Sequence, residues 1–464
     1  MPKANTLKQK LKKLAGQTAI YGIPSIVGRV INFALTPLYL LSLKEVSDFG
    51  VMAVMYSIAA FIAVVLTHGM ETGFFNFVRK EEEPQEVFNT AFSSILLISL
   101  VFSGLSFLFA DSIINLIGYP GKGIYIKVFA LILSLDALSA IPFAWLRHKE
   151  KAIKFASIRS INIVINVILT LFFFLLCPYL LKNDLTSWIS FFKIEDLVLY
   201  AFISNLVASL ITFVLLLPQI KYKFGFANKP LRKKMLLYSY PLIFTGMAGI
   251  INETFDRVLL KKLLPTDIAD HEIGIYNAFY KLSMFMTLFV QAFRYAAEPF
   301  FFSESKQLDA KQSYAKIMEY FIYACLAIFT VLVIALPYIA PLFITNEKYF
   351  LNPDGMRIVP VLLIANMFLG IYYNLAIWYK LTHKNLYGAY IGIGGALLTL
   401  ILNFVFIPKY GFVASAWATL AVYSSMTLVS YLVGRKHYPV PYPMKKIVLA
   451  IILVVGIYSF WYFR

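Results

Sequence analysis

Thirteen apolar segments take up most of this chain and leave it few ways to fold. They lie near residues 15–41, 47–72, 86–110, 124–146, 155–181, 194–218, 235–260, 273–299, 315–341, 356–379, 386–407, 411–434 and 447–463. Most reach the ~20 apolar residues that a helix needs to cross a bilayer. The chain is 60% hydrophobic and 14% charged, where a soluble domain carries about 25% charged residues. The sequence therefore describes an all-α polytopic membrane protein. No loop is long enough to be a soluble domain, so the chemistry must lie in the helices or at their ends.

The net charge of +18 would suggest nucleic acid in a soluble protein. Its distribution gives a different reading. With the N-terminus in the cytoplasm, the tail and alternate loops hold 27 of the 42 Lys and Arg, and the opposite side holds 11. That bias is the positive-inside rule and sets the topology; a multi-pass protein of the cell inner membrane is expected. The richest loops are 147–159, 221–234 and 435–446. No nucleic-acid partner is needed. The basic start followed by apolar sequence imitates a signal peptide. Its apolar run is too long and lacks an A-x-A-like cleavage site, so it reads as a retained first helix. The two cysteines, Cys177 and Cys325, sit singly in apolar segments and make neither a metal site nor a disulfide framework.

Four cations, Arg29, Arg257, Lys281 and Arg294, lie inside apolar spans. A charge near the bilayer centre costs about 3 kcal/mol on insertion scales, so it usually faces a protected interior or a water-filled cavity. Ser25, Arg29, Asn32 and Thr36 share one arc of about 60° on the first helix. In the eighth span Asn277, Lys281, Gln291, Arg294 and Glu298 fall within an arc of about 140°.

The two halves of the chain resemble each other. Tyr21-Gly-Ile-Pro24 and Tyr238-Ser-Tyr-Pro241 open the first and seventh spans, and Phe49-Gly50-Val51 and Ile273-Gly274-Ile275 enter the second and eighth. Glu71-Thr-Gly-Phe-Phe75 and Glu298-Pro-Phe-Phe-Phe302 close those two, and Trp145-Leu-Arg147 and Trp378-Tyr-Lys380 end the fourth and tenth. The matches keep their order, which argues for six helices plus six helices. An even number gives both lobes one orientation, a parallel-repeat transporter plan with substrate handled between the lobes. The expected organisation is a basic tail (1–14), an N-terminal lobe (15–218), a basic linker (219–234), a C-terminal lobe (235–434), and a basic loop with one extra helix (435–464). That last helix is barely long enough to cross: crossing would put the C-terminus outside, and lying in the interface would not.

The first span with its Tyr21-x-x-Pro24 opening and Arg29 carries part of a family resemblance. The Phe49-Gly50 turn, Asn252-Glu-Thr-Phe-Asp256-Arg257, Glu298-Pro299-Phe300-Phe301 and Asn403-Phe-Val-Phe-Ile-Pro408-Lys-Tyr-Gly411 carry the rest. Together they resemble polysaccharide-biosynthesis membrane proteins, the oligosaccharide-lipid flippases of the multidrug/oligosaccharidyl-lipid/polysaccharide exporter superfamily. The resemblance covers about residues 15–440. It implies two six-helix lobes around a central cavity, and a polyprenyl-diphosphate-linked oligosaccharide carried from the cytoplasmic to the external face by alternating access. It also implies a cationic cavity with one of its charges on the first helix, where Arg29 stands. Arg grips phosphate in two-pronged fashion and Lys acts as a point charge. The substrate-cavity candidates are Arg29, Asn32, Lys281, Gln291 and Arg294; snorkelling toward the interfaces is the alternative for Lys281 and Arg294. The partners expected are the lipid-linked oligosaccharide and membrane lipids, with the protein a monomer.

The acidic candidates are Asp136, Glu253 and Asp256. Asp136 would pair with Arg29, bind a coupling Na+ or H+, or contact substrate. Glu253 and Arg257, at i and i+4, would form a helix-surface ion pair. The amides Asn162, Asn166, Asn205, Asn366, Asn374 and Asn403 suit either sugar hydroxyls or interhelical hydrogen bonds. His68 reads as a packed neutral histidine, and Pro24 and Pro241 as bending points. No metal-binding histidine pair, nucleophile elbow or phosphate loop appears, so neither an enzyme nor a resident cofactor is expected. A cation-coupled multidrug antiporter on the same fold is the competing function, kept open by Asp136 and Glu253.

Overall fold

The computed structural model describes residues 24, 26–79, 83–183, 189, 191–220, 228–305, 307 and 309–462. The chain is 88% helical, with no strand among the described residues. In hydrocarbon the backbone must satisfy its own hydrogen bonds, and helices do so within each segment. Among the described residues every apolar span of the sequence is helical. The helices are α1 (Ile26–Ser42), α2 (Val46–Phe77), α3 (Pro84–Leu108), α4 (Gly123–His148), α5 (Ala152–Lys182) and α6 (Ile194–Gln219). They continue with α7 (Lys229–Thr254), α8 (Asp256–Leu263), α9 (Ala269–Phe302), α10 (Ala310–Phe343), α11 (Asp354–Leu381), α12 (Leu386–His437) and α13 (Met444–Tyr462). Ten of them are long and apolar enough to cross a membrane, and α12 holds two of the predicted spans.

At 52 residues, α12 would extend about 78 Å if straight, more than twice a bilayer core. It is instead two helices folded together at Gly411, whose φ of 57° and ψ of −144° suit glycine alone. Ser415 donates to Asn403 Oδ1 at 2.7 Å. A Cβ on Gly395 would lie 2.6 Å from Met426 Sδ. Both contacts require the two arms to lie side by side.

α2 is interrupted by His68 and Gly69, both left-handed, at φ 33° and 68°. The His68 ring is buried and bonded on both nitrogens, to the Leu66 carbonyl at 2.8 Å and Ser94 Oγ at 3.0 Å. The Gly69 carbonyl accepts from the Gly73 amide at 3.0 Å and from Ser239 of α7 at 3.3 Å. Pro241 lies inside α7 without ending it.

The chain divides into two compact units between Ile250 and Ile251. The division falls within α7. The earlier part of α7 packs on α2, where a Cβ on Gly246 would meet Val64 Cγ1 at 2.7 Å. Its end joins the second unit: Asn252 donates to the Gly392 carbonyl at 3.1 Å and accepts from Thr399 at 2.9 Å.

Candidate functional site

In the first unit the polar groups gather on α1, α4, α5 and α6. The helices α1 and α5 run in the same direction. A Cβ on Gly28 would lie 3.2 Å from Ile163 Cδ1, Tyr39 meets Thr170 at 3.5 Å, and Ser42 donates to the Phe174 carbonyl at 3.4 Å. The Gly28 contact sets Arg29 at the level of Asn162 and Asn166. Arg29 and Asn32 are exposed, whereas Thr36 is buried and turns its hydroxyl to the Asn32 carbonyl. Ser25 and Tyr21 lie outside the described residues. Among the described residues Arg29 has no hydrogen-bond or ion-pair partner.

Asp136 of α4 is hydrogen-bonded to Ser209 of α6, and the charge that acts on it is Arg159. No Arg29–Asp136 pair forms among the described residues. The positive-inside tally groups Arg159 with the loop 147–159; the structure places it inside α5. A signal for this was available. Arg159, Asn162, Asn166 and Thr170 fall at offsets 3, 7 and 11, so the polar stripe on α5 begins one turn earlier than its first amide. Asn162 itself donates to Thr212 Oγ1 at 2.8 Å.

The second unit handles its charges differently. Asp256 and Arg257 are both 5% exposed and pair at 2.7 Å. Asp256 also takes the Tyr276 hydroxyl on its other oxygen. The Arg257 guanidinium lies 4.2 Å from the Tyr280 ring centroid. The expected Glu253–Arg257 ion pair is not there. Arg257 reaches the Glu253 main-chain carbonyl at 3.1 Å, and its own amide donates to Asp256 Oδ1 at 2.9 Å. Both groups that would close the regular turn from 253 to 257 are thus taken by side chains, and the helix breaks at Phe255 between α7 and α8. The i, i+4 rule presumes an unbroken helix. The Glu253 carboxylate is left exposed.

Lys281 of α9 is half-buried. The charge that acts on it is Arg257, a like charge, and among the described residues it has no partner. Gln291 is also half-buried. Arg294 lies 3.9 Å from Glu298 and 4.5 Å from the Tyr373 ring centroid, so its charge is shared between a carboxylate and an aromatic face.

Glu298 makes its shorter bond, 2.6 Å, to Lys380 of α11. In the first unit Glu71 pairs with Arg147 of α4. These four residues come from the motifs that match between the halves, so the repeat extends to side-chain contacts. It extends to the backbone too. Glu150 and His383 follow Trp145 and Trp378 at the same distance in sequence, and both have positive φ, 52° and 56°. Most amides are spent on protein: Asn366 on Ser283, Asn374 on the Gly370 carbonyl, and Asn403 on Ser415 and the Thr399 carbonyl.

This multi-pass helical protein has the fold of the MATE and MurJ proteins. The family model described as polysaccharide biosynthesis protein matches residues 15–305, and the chain belongs to that family. Among solved structures, a lipid II flippase MurJ in an inward closed conformation is 17% identical with a TM-score of 0.71, covering 95% of this chain and 92% of that one. An inward-facing multidrug resistance MATE family transporter of the MOP superfamily is 13% identical with a TM-score of 0.62, covering 92% and 94%. A MOP superfamily transporter from Pyrococcus furiosus, described as having a binding pocket of reversed polarity, is 13% identical with a TM-score of 0.61, covering 91% and 95%. No curated protein sequence matches. At these identities the structural likeness shows the fold alone. These neighbours are described as transporters and a flippase.

Proposed function

We propose that the protein is a flippase that moves a polyprenyl-diphosphate-linked oligosaccharide from the cytoplasmic to the external face of the cell inner membrane by alternating access. Its N-terminus lies in the cytoplasm, as the positive-inside bias indicates. The observation that carries this reading is that each lobe holds a cation within an apolar helix and gives it no counter-charge among the described residues: Arg29 in the first and Lys281 in the second. Charges so placed are expensive unless something anionic meets them. A lipid-linked sugar carries its diphosphate where headgroup joins tail, and that diphosphate needs compensation as it crosses. Arg257 is not part of the supply, because Asp256 already matches it. Arg294 is partly committed to Glu298. The sugar would follow its phosphates while the tail remains in the bilayer.

The test is Arg29→Ala in the native host, with surface glycan measured at matched expression. Loss of export with lipid-linked oligosaccharide accumulating on the cytoplasmic face is the expected result. Full export would refute the role of Arg29.

A second reading, a cation-coupled multidrug antiporter, is favoured by the exposed acids Asp136 and Glu253. It predicts a change in drug susceptibility on deletion of the gene with surface glycan intact; the flippase reading predicts the opposite pair of results.

A further inference from the structure

The positive-inside tally groups Arg159 with a loop, whereas the structure sets it two turns inside the apolar helix α5. It is exposed although it lies within α5, and Asp136, whose charge acts on it, is exposed as well. An arginine and an aspartate that act on each other often form a two-pronged pair. Here they do not: among the described residues Arg159 makes no direct ion pair. The guanidinium instead lies 4.1 Å from the Phe143 ring centroid, with Phe155 at 5.9 Å. A guanidinium held against a ring keeps the N–H groups of its edge available, and that edge matches the spacing of phosphate oxygens. Asp136 is meanwhile held back by Ser209. The other anion that acts on Arg159, Glu71, is already paired with Arg147. The level of Asn162 and Asn166, one to two turns along the same stripe, is also that of the unpartnered Arg29.

We propose that Arg159 forms a second anion-binding position in the N-terminal lobe, taking a diphosphate on its free edge, and that Asp136 is the internal competitor that the diphosphate displaces. The proposal rests on the flippase reading and adds to it a residue and a release mechanism. Phe143 presents the guanidinium, Ser209 keeps the aspartate from closing on it, and Asp136 recovers the charge when the diphosphate leaves. Without such a competitor, an arginine set within an apolar helix would hold a diphosphate too well to let it go.

The experiment titrates the purified full-length protein in detergent with inorganic pyrophosphate and with geranyl diphosphate, and compares the wild type with Arg159→Gln, Arg159→Lys and Asp136→Asn. Arg159→Gln should weaken both ligands about tenfold or more, the loss expected for one charge-assisted contact. Arg159→Lys should fall between, since it keeps the charge and loses the fork. Asp136→Asn should tighten both by about threefold, because a competing charge has been removed; a merely structural aspartate would not do this. Geranyl diphosphate binding at least as tightly as pyrophosphate supports a lipid-linked source, and a strong preference for the free ion overturns it. Unchanged affinity in an Arg159→Gln protein with wild-type unfolding temperature overturns the proposal and leaves the flippase reading standing. If Arg159→Gln does not fold, Asp136→Asn decides: tighter binding supports the proposal, and equal or weaker binding overturns it. A wild type that binds neither ligand overturns both readings.

Discussion

The two lobes share their clasps and differ in their charges. At one end of each, a glutamate closing the second helix of the lobe meets a basic residue two positions after a tryptophan, Glu71 with Arg147 and Glu298 with Lys380. The same turn with positive φ follows in both, at Glu150 and His383. Inside, the lobes part. The first holds Asp136 and Arg159 near each other, open and without a direct pair. The second locks Asp256 to Arg257, buries both, and caps them with Tyr276 and Tyr280. The repeat supplies the frame, while each lobe sets its own degree of charge compensation. A matched buried pair is structural, and an unmatched one is available to a ligand.

That difference is open to direct attack. The largest effect should come from removing one partner of the locked pair. Asp256→Ala leaves Arg257 buried without its anion, a change that costs about 3–5 kcal/mol. The corresponding Asp136→Ala in the first lobe should cost less than about 1 kcal/mol, since Arg159 is accessible and not directly paired. Thermal unfolding in detergent measures both, and equal losses would erase the distinction. A smaller effect is expected at Gly411, where the second lobe folds two spans together in one tight step. Its backbone is open to glycine alone, so Gly411→Ala should cost about 1–3 kcal/mol in the same assay. The smallest effects belong to the clasps. Both are partly exposed, and Glu71→Gln and Glu298→Gln should each lower stability by no more than about 1 kcal/mol. Glu298 serves Lys380 and Arg294 together, so its loss should be the larger of the two. A clasp worth several kcal/mol would mean that the frame itself differs between the lobes.

Much of this frame was legible in the sequence. Apolar length located the long helices, because bilayer thickness fixes how long a span must be. Short motifs in matching order revealed the repeat, although nothing in them said that the glutamate of one meets the basic residue of another. The interior charges were harder. Arg29 and Lys281 stood out because each is alone in apolar sequence. Arg159 did not, because it follows four loop cations closely and counting by loop absorbs it. Glu253 and Arg257 have the spacing of an ion pair, but the helix carrying them breaks at Phe255 and Arg257 turns to the adjacent Asp256 instead. Asp136 was read against Arg29 on the first helix, whereas the fold brings α5 beside α4 and supplies Arg159. Periodicity along one helix finds a polar face; which other helix answers it depends on packing between helices.

The most direct measurement of the central claim is translocation by the purified protein. Proteoliposomes would carry a fluorescent polyprenyl-diphosphate oligosaccharide, and a membrane-impermeant quencher would report which leaflet holds it. Wild-type protein should render the inner-leaflet pool accessible, and Arg29→Ala should leave it protected. A wild type that leaves the pool protected would contradict the account, and so would an Arg29→Ala protein that moves it at the wild-type rate.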